Sequence, residues 1–340
     1  MTHASKHIAY SILDLASVSA GSSIQDTFNK SLDLARKAEA LGYTRFWLAE
    51  HHNMKSIASS APSILIGHIA GGTKTIRVGS GGIMLPNHSP LIVAEQFGTL
   101  GSLYPGRIDL GLGRAPGTDQ VTAAAIRSDR MQSVYKFPDE VASVMHLFRH
   151  NEGERIRATV AEGVDVPVYI LGSSTDSAHV AARLGLPYAF ASHFAPTYLF
   201  EAMDIYHREF EPSAHLDKPY TIAGINVIAA DTDEEARRLS TSSLRMILGV
   251  LTQNMDYLQP PVDYTREFEE LAANPAVQRM MKYAFFGSRQ TVLEKTKRFI
   301  EETAVDEVIV SSHIFEHQDR LKSYELFAQV MQHINEEVLV

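Results

Sequence analysis

The amino-acid sequence predicts an α/β protein, a (β/α)8 TIM barrel with insertions on the C-terminal face of its strands, and three observations carry that expectation. Eight short apolar runs recur along the chain. Segments of helical period separate them. The runs are nearly continuous in apolar residues, as strands covered on both faces are. A length of 340 residues suits one barrel domain spanning 1–340, because such barrels reach this size once they carry insertions. A doubly wound open sheet is the competing arrangement of the same elements.

Taken in order, the strands are expected at 8–15, 45–50, 76–85, 107–113, 166–172, 187–192, 220–229 and 306–312. Behind the first lies 24–42, where apolar residues return at helical spacing until Gly42 stops the helix. Further helices are read at 90–103, 176–185, 196–210, 289–302 and 318–334. Two stretches exceed ordinary connections: 114–137 with its neighbour 151–165, and an insertion at about 250–287. Strand-to-helix connections of a barrel open on the active-site face, so the second insertion is expected to cover the site as a lid. Pro260, Pro261 and Pro275 break it, and Met280, Met281, Phe285 and Phe286 suit a movable cover.

Composition narrows the function classes. Hydrophobic residues at 45% and charged residues at 21% imply a large core. A net charge of -9 leaves no basic footprint for phosphate backbones, so no nucleic-acid partner is expected. The absence of cysteine excludes disulfides, thiolate nucleophiles and Cys-ligated zinc. The opening residues 1–15 read as no signal peptide, and no apolar run has the length to span a bilayer. A cytoplasmic protein without membrane partners is the expectation.

Barrel active sites form where strands end. Glu50, His51 and His52 end the second strand, Gly81 and Gly82 lie late in the third, Gly113 and Arg114 end the fourth, and Gly172, Ser173 and Ser174 end the fifth. Neighbouring strand side chains point to opposite faces, so His51 and His52 cannot share one metal while the chain stays extended. Neither His-x-His nor His-Glu-x-x-His occurs, and no metal is expected. That leaves a hydrogen-bonded loop pair or proton chemistry from one imidazole. Ser173, Ser174, Thr175 and Ser177 crowd a helix start, which makes either a phosphate cradle or an ordinary N-cap. Arg114 offers a countercharge. Paired glycines in a strand mark a ligand's close approach or a simple bulge. The glycines of 111–117 have the wrong spacing for a dinucleotide fingerprint, and Pro116 interrupts the helix start.

As an ordered set, LAEHHN (48–53), VGSGGIMLPNHSP (78–90), YPGRIDLGLGRAPG (104–117), LGSSTDSAHVAARLGLP (171–187) and SHIFEHQDRLKSYEL (312–326) make the chain resemble the bacterial luciferase-like flavin-dependent monooxygenases nearly end to end. The resemblance implies FMN at the C-terminal ends of the strands. It puts His51 beside the flavin as the catalytic residue supporting the reaction with oxygen. It places Gly81 and Gly82 at a non-prolyl cis peptide against the ring. Arg114, Ser173, Ser174 and Ser177 fall on the phosphate, with Glu50 and Gly172 also among the cofactor-binding positions. Gly113 replaces a cysteine found in some light-emitting members, so a non-luminescent member is implied. The expected activity is that of an FMN-dependent monooxygenase or oxidoreductase taking reduced flavin, O2 and a small organic substrate. Without a nicotinamide fingerprint, a separate flavin reductase is expected to supply the reduced cofactor. Apolar residues on more than one face of 57–72 and 90–103 point to a homodimer. The rival readings are a deazaflavin (F420)-dependent oxidoreductase on the same fold and a non-catalytic flavin-binding protein.

Overall fold

Alternation along each strand decides what the barrel encloses. On β1 (Ala9–Asp14) Tyr10 and Ile12 pack outward beneath the helices, while Ser11 and Leu13 point inward. The same division holds on β2 (Arg45–Leu48), with Phe46 and Leu48 outside and Arg45 and Trp47 inside. The computed structural model describes residues 6–127 and 130–337. Residues 1–5, part of the segment read as no signal peptide, lie outside the described residues.

The strands continue as β3 (Arg77–Ser80), β4 (Ile83–Met84), β5 (Ile108–Gly113), β6 (Val168–Gly172), β7 (Tyr188–Phe190), β8 (Thr221–Ala230), β9 (Ala284–Ser288) and β10 (Glu307–Ser311). All pair in parallel. Eight of them close a barrel in the order β1-β2-β3-β5-β6-β7-β8-β10, with β10 returning to β1. This is the (β/α)8 arrangement, and the open doubly wound sheet is excluded. Each of the eight expected strands overlaps one barrel strand.

Two expectations change. The third run, 76–85, is broken at Gly81-Gly82, which are joined by a cis peptide bond; its second half becomes β4 and pairs with β5. The 250–287 insertion contains a strand: β9 adds to β8 through the register Asn226↔Ala284 to Ala230↔Ser288. Phe285 is therefore fixed core, 6% exposed and set edge-on to Phe299, rather than part of a movable cover.

The helices are α1 (Ile24–Ala40), α2 (Pro62–Gly72), α3 (Pro90–Leu103), α4 (Gln120–Ile126), α5 (Arg130–Tyr135), α6 (Phe137–Leu147), α7 (Thr175–Leu184), α8 (Leu199–Glu209), α9 (Asp233–Leu251), α10 (Arg266–Ala273), α11 (Pro275–Met280), α12 (Arg289–Thr303) and α13 (His317–Glu337). Ser23 starts α1 with a reciprocal capping box to Asp26, and Thr232 and Ser288 cap α9 and α12. No described helix is long and apolar enough to cross a membrane.

Ionic pairing plugs the barrel floor. Arg45 donates to Glu307 and Asp109 at 2.8 Å each and to Tyr169 at 2.7 Å. Trp47 and Arg77 complete the shell around Asp109. Burial opposes the Arg45 charge, but the Glu307 and Asp109 carboxylates outweigh it and hold its pKa well above the ordinary value. With the N-terminal end filled in this way, the barrel is open to a ligand at the opposite mouth.

Candidate active site

A cavity of ≈ 1040 Å³ opens at the C-terminal ends of the strands. That volume lies at the top of the range for pockets holding one drug-sized ligand, about 300–1,000 Å³. Its walls are mostly apolar, and α9 and the insertion contribute Met246, Ile247, Val250, Met255, Met280 and Phe286.

The Glu50-His51-His52 cluster splits three ways. Glu50 is fully buried, and its oxygens are taken up by the protein. Oε1 accepts from His52 Nε2 at 2.8 Å, His88 Nε2 at 2.9 Å and Asn87 Nδ2 at 3.3 Å, while Oε2 accepts the Met84 amide at 2.9 Å. Burial pushes its pKa up, but the bonds from His52 and His88 prevail and bring it to about 2. Glu50 is thus a buried anion that holds two imidazoles, and it also lines the cavity in which a cofactor contact is expected of it. His51 turns the other way. Its Nδ1 lies 3.2 Å from the Gly117 carbonyl, which can only accept, so Nδ1 carries the proton and Nε2 is left as a bare acceptor on the cavity wall. Burial lowers the His51 pKa and keeps the ring neutral.

Opposite this wall, Gly172, Ser173 and Ser174 lead from β6 into α7 and line the cavity. Ser174 is the N-cap residue and no side chain caps this helix, as none caps α2, α3, α6, α8 or α10; what sets α7 apart is that its start lines the cavity. First-turn amides left without a capping oxygen make an anion site. Arg114 lines the same end and pairs with Asp176 at 2.8 Å on the exposed surface. Ser177 lines the cavity too, and its hydroxyl meets the Ser174 carbonyl at 2.9 Å and the Tyr188 hydroxyl at 3.0 Å.

Gly81 lies on the cavity wall, and a Cβ there would stand 2.6 Å from Leu13 Cδ1. Gly82 is turned into the sheet instead, where a Cβ would meet the Gly111 carbonyl at 2.7 Å. Neither position has room for a side chain, Gly81 on the cavity side and Gly82 against the neighbouring strand.

Sequence reading missed three polar residues of this mouth. His193 follows β7, Asn226 lies on β8 and His313 follows β10. All three line the cavity. Burial, reinforced by neighbouring His313 and His51, pushes the His193 pKa down to about 3. Burial and the Arg320 charge bring His313 to about 4. Their one available signal was position: His193 and His313 stand just beyond the C-terminal ends of expected strands, and Asn226 lies within one.

Comparison with known proteins follows this geometry. The luciferase-like monooxygenase family model matches residues 8–307. A luciferase-like monooxygenase of Escherichia coli (strain K12) is 47% identical over 330 residues, covering 97% of this chain and 98% of its own. The N-acetyl-S-alkylcysteine monooxygenase of Bacillus subtilis (strain 168) is 31% identical, covering 95% and 98%. Among solved structures, apo-MsnO8 superposes with a TM-score of 0.87 at 34% identity, covering 96% of this chain and 99% of that one. Two more distant structures share the fold. They are the oxygenating constituent of 3,6-diketocamphane monooxygenase from Pseudomonas putida in complex with FMN (TM-score 0.73, 18% identity, 96% and 98% covered) and an F420-dependent secondary alcohol dehydrogenase (TM-score 0.70, 16% identity, 95% and 99% covered).

Proposed function

Because the chain belongs to the luciferase-like monooxygenase family, we propose that it is an FMN-dependent monooxygenase acting with reduced flavin and O2 on a small organic substrate. The observation that carries this reading is the pairing of an uncapped helix start and Arg114 at one end of an apolar cavity with the neutral imidazole of His51 across it. Ser173, Ser174 and Arg114 would hold the phosphate, and Gly81 would leave room for the ring. When bound, reduced flavin supplies the electrons that let O2 react with the substrate. His51, oriented by Gly117, holds an acceptor at Nε2 and can take or return a proton without carrying a resting charge. The apolar wall from α9 and the insertion keeps water out.

A separate reductase delivering reduced flavin and a cytoplasmic homodimer complete the proposal. Ile64, Ile92 and Leu103 on α2 and α3 are 72%, 46% and 64% exposed, which supports a subunit contact there. The insertion from 250 to 287 serves as a partly movable cover over one barrel domain. A deazaflavin-dependent oxidoreductase is the second reading, supported by the F420-dependent neighbour.

Fluorescence titration with FMN and with F420 separates the two cofactors. Oxygen uptake with reduced FMN then tests the chemistry. His51→Ala should keep FMN affinity within about twofold and release more hydrogen peroxide per FMNH2 consumed. Tighter binding of F420 than FMN, or no oxygen uptake, would reject the monooxygenase reading.

A further inference from the structure

Two imidazoles reach the cavity from opposite sides of the barrel. In the ring of eight strands β2 and β7 lie diametrically across from each other, and His51 and His193 follow their C-terminal ends. The two rings are fixed with opposite polarity. The Gly117 carbonyl keeps a proton on His51 Nδ1 and leaves Nε2 bare. His193 Nδ1 is enclosed with no hydrogen-bond partner among the described residues. It sits so close to Gly224 that a Cβ there would stand 2.3 Å from it. An enclosed N–H without a partner costs more than an enclosed lone pair, so the His193 proton belongs on Nε2, the nitrogen left toward the cavity. The support is built in. Asn226 Nδ2 donates to the His193 carbonyl at 2.6 Å, and the ring meets Phe194 edge-on with centroids 5.1 Å apart.

We propose that His193 donates its Nε2–H to an acceptor atom on the ring system of the bound flavin, at the edge away from His51. This rests on the flavin reading above. A ligand anchored at the β6–α7 turn lies beside β7, since Gly172 and Phe190 are register partners. A flat ring held from that turn would have the His193 donor on the β7 side of the mouth and the His51 acceptor on the β2 side. An isoalloxazine carries carbonyl oxygens and ring nitrogens that accept hydrogen bonds, and a neutral N–H serves them without importing a charge. Gly224 is the enabling residue: the absence of its side chain is the space in which the imidazole turns.

The test uses the full chain labelled with 15N only in histidine. Long-range nitrogen–proton spectra at pH 7 should show His193 protonated at Nε2 and His51 at Nδ1, each identified by its loss in His193→Gln and His51→Gln. Saturation with FMN, followed by flavin fluorescence, should move the His193 Nε2–H signal downfield. His193→Leu and Gly224→Ala should each weaken FMN binding roughly 5- to 10-fold, with His193→Gln restoring most of it because it keeps a donor. A His193 proton on Nδ1, a charged ring at pH 7, or an Nε2–H signal unmoved by bound FMN overturns the proposal. Failure of FMN to bind the parent protein sinks the flavin reading and, with it, the His193 contact. The tautomer measurement on the apoprotein still decides the polarity of the two rings.

Discussion

The carboxylate of Glu50 accepts a hydrogen bond from His52, two residues further along the chain, at 2.8 Å. His88, brought in by the turn after β4, meets the same oxygen at 2.9 Å. A side chain that satisfies four donors from the protein is positioned to hold the mouth of the barrel together. Glu50→Ala should lower stability by about 3 kcal/mol, because it leaves several buried donors unpaired. Glu50→Gln, which retains an acceptor oxygen, should cost less. Urea denaturation measures both. A Glu50→Gln variant with parent-like stability and sharply reduced FMN affinity would return the residue to cofactor binding.

Arg114→Ala should weaken FMN roughly tenfold or more, the loss expected for a charge-assisted contact to phosphate. Riboflavin, which lacks the phosphate, should bind parent and variant alike. Equal losses for both ligands would show that Arg114 acts on the turn and not on the anion.

Acid should destabilise the fold before most carboxylates titrate. His193 and His313 have folded-state pKa values of about 3 and about 4, against about 6.5 in an unfolded chain. Between those values the unfolded chain binds protons that the folded one refuses. Their contribution is therefore full above pH 6.5 and is lost as pH falls toward 4. The slope reaches about 1.4 kcal/mol per pH unit for each proton. Unfolding midpoints measured from pH 7 to pH 5 should fall, and His313→Gln should flatten the decline. A parent protein equally stable across that range would contradict it.

Limited proteolysis should cut the apoprotein first between Asn254 and Asn274, on either side of one fixed point. Leu258 exchanges backbone bonds with Val18 and Ala20 at 2.9 Å and 2.8 Å and is 3% exposed, so cleavage there should be slow. FMN with a substrate should protect the remainder. First cuts within β9, or no protection on binding, would argue for a permanently packed rim.

Light scattering at micromolar concentration should give a mass near twice 37.6 kDa. Replacing Ile64 and Leu103 together by Lys should shift it toward the monomer. A parent protein already at the monomer mass would remove the α2–α3 contact.

The barrel was legible because its strands are short, mostly apolar runs parted by helical segments, and such runs stand out even where a few inward residues are polar. β9 escaped because the five residues Ala284–Ser288 lie three residues after a helix, and their sequence AFFGS does not show the alternation that their burial does. At the site, Arg114 and the Ser173-Ser174 turn were readable as unusual residues at strand ends. His193, Asn226 and His313 stand singly among ordinary neighbours. Only closure of the barrel brings them to one mouth. The protein partners of Glu50 were not legible, since His88 and Asn87 lie far along the chain and turn toward it only after β3 breaks at Gly81.

Closure of that barrel also sets a timetable. Ala9 on β1 pairs with Glu307 on β10, so a strand made early waits for one made about 300 residues later. At about 5–20 residues per second, the roughly 300 residues between them take on the order of 15–60 s to synthesise. Throughout that interval β1 has an unpaired edge, the kind of surface on which nascent chains associate wrongly. Yield in a cell should therefore depend more on chaperone supply and growth temperature than the stability of the finished protein would imply, and circular permutants that make β10 before β1 would shorten the wait.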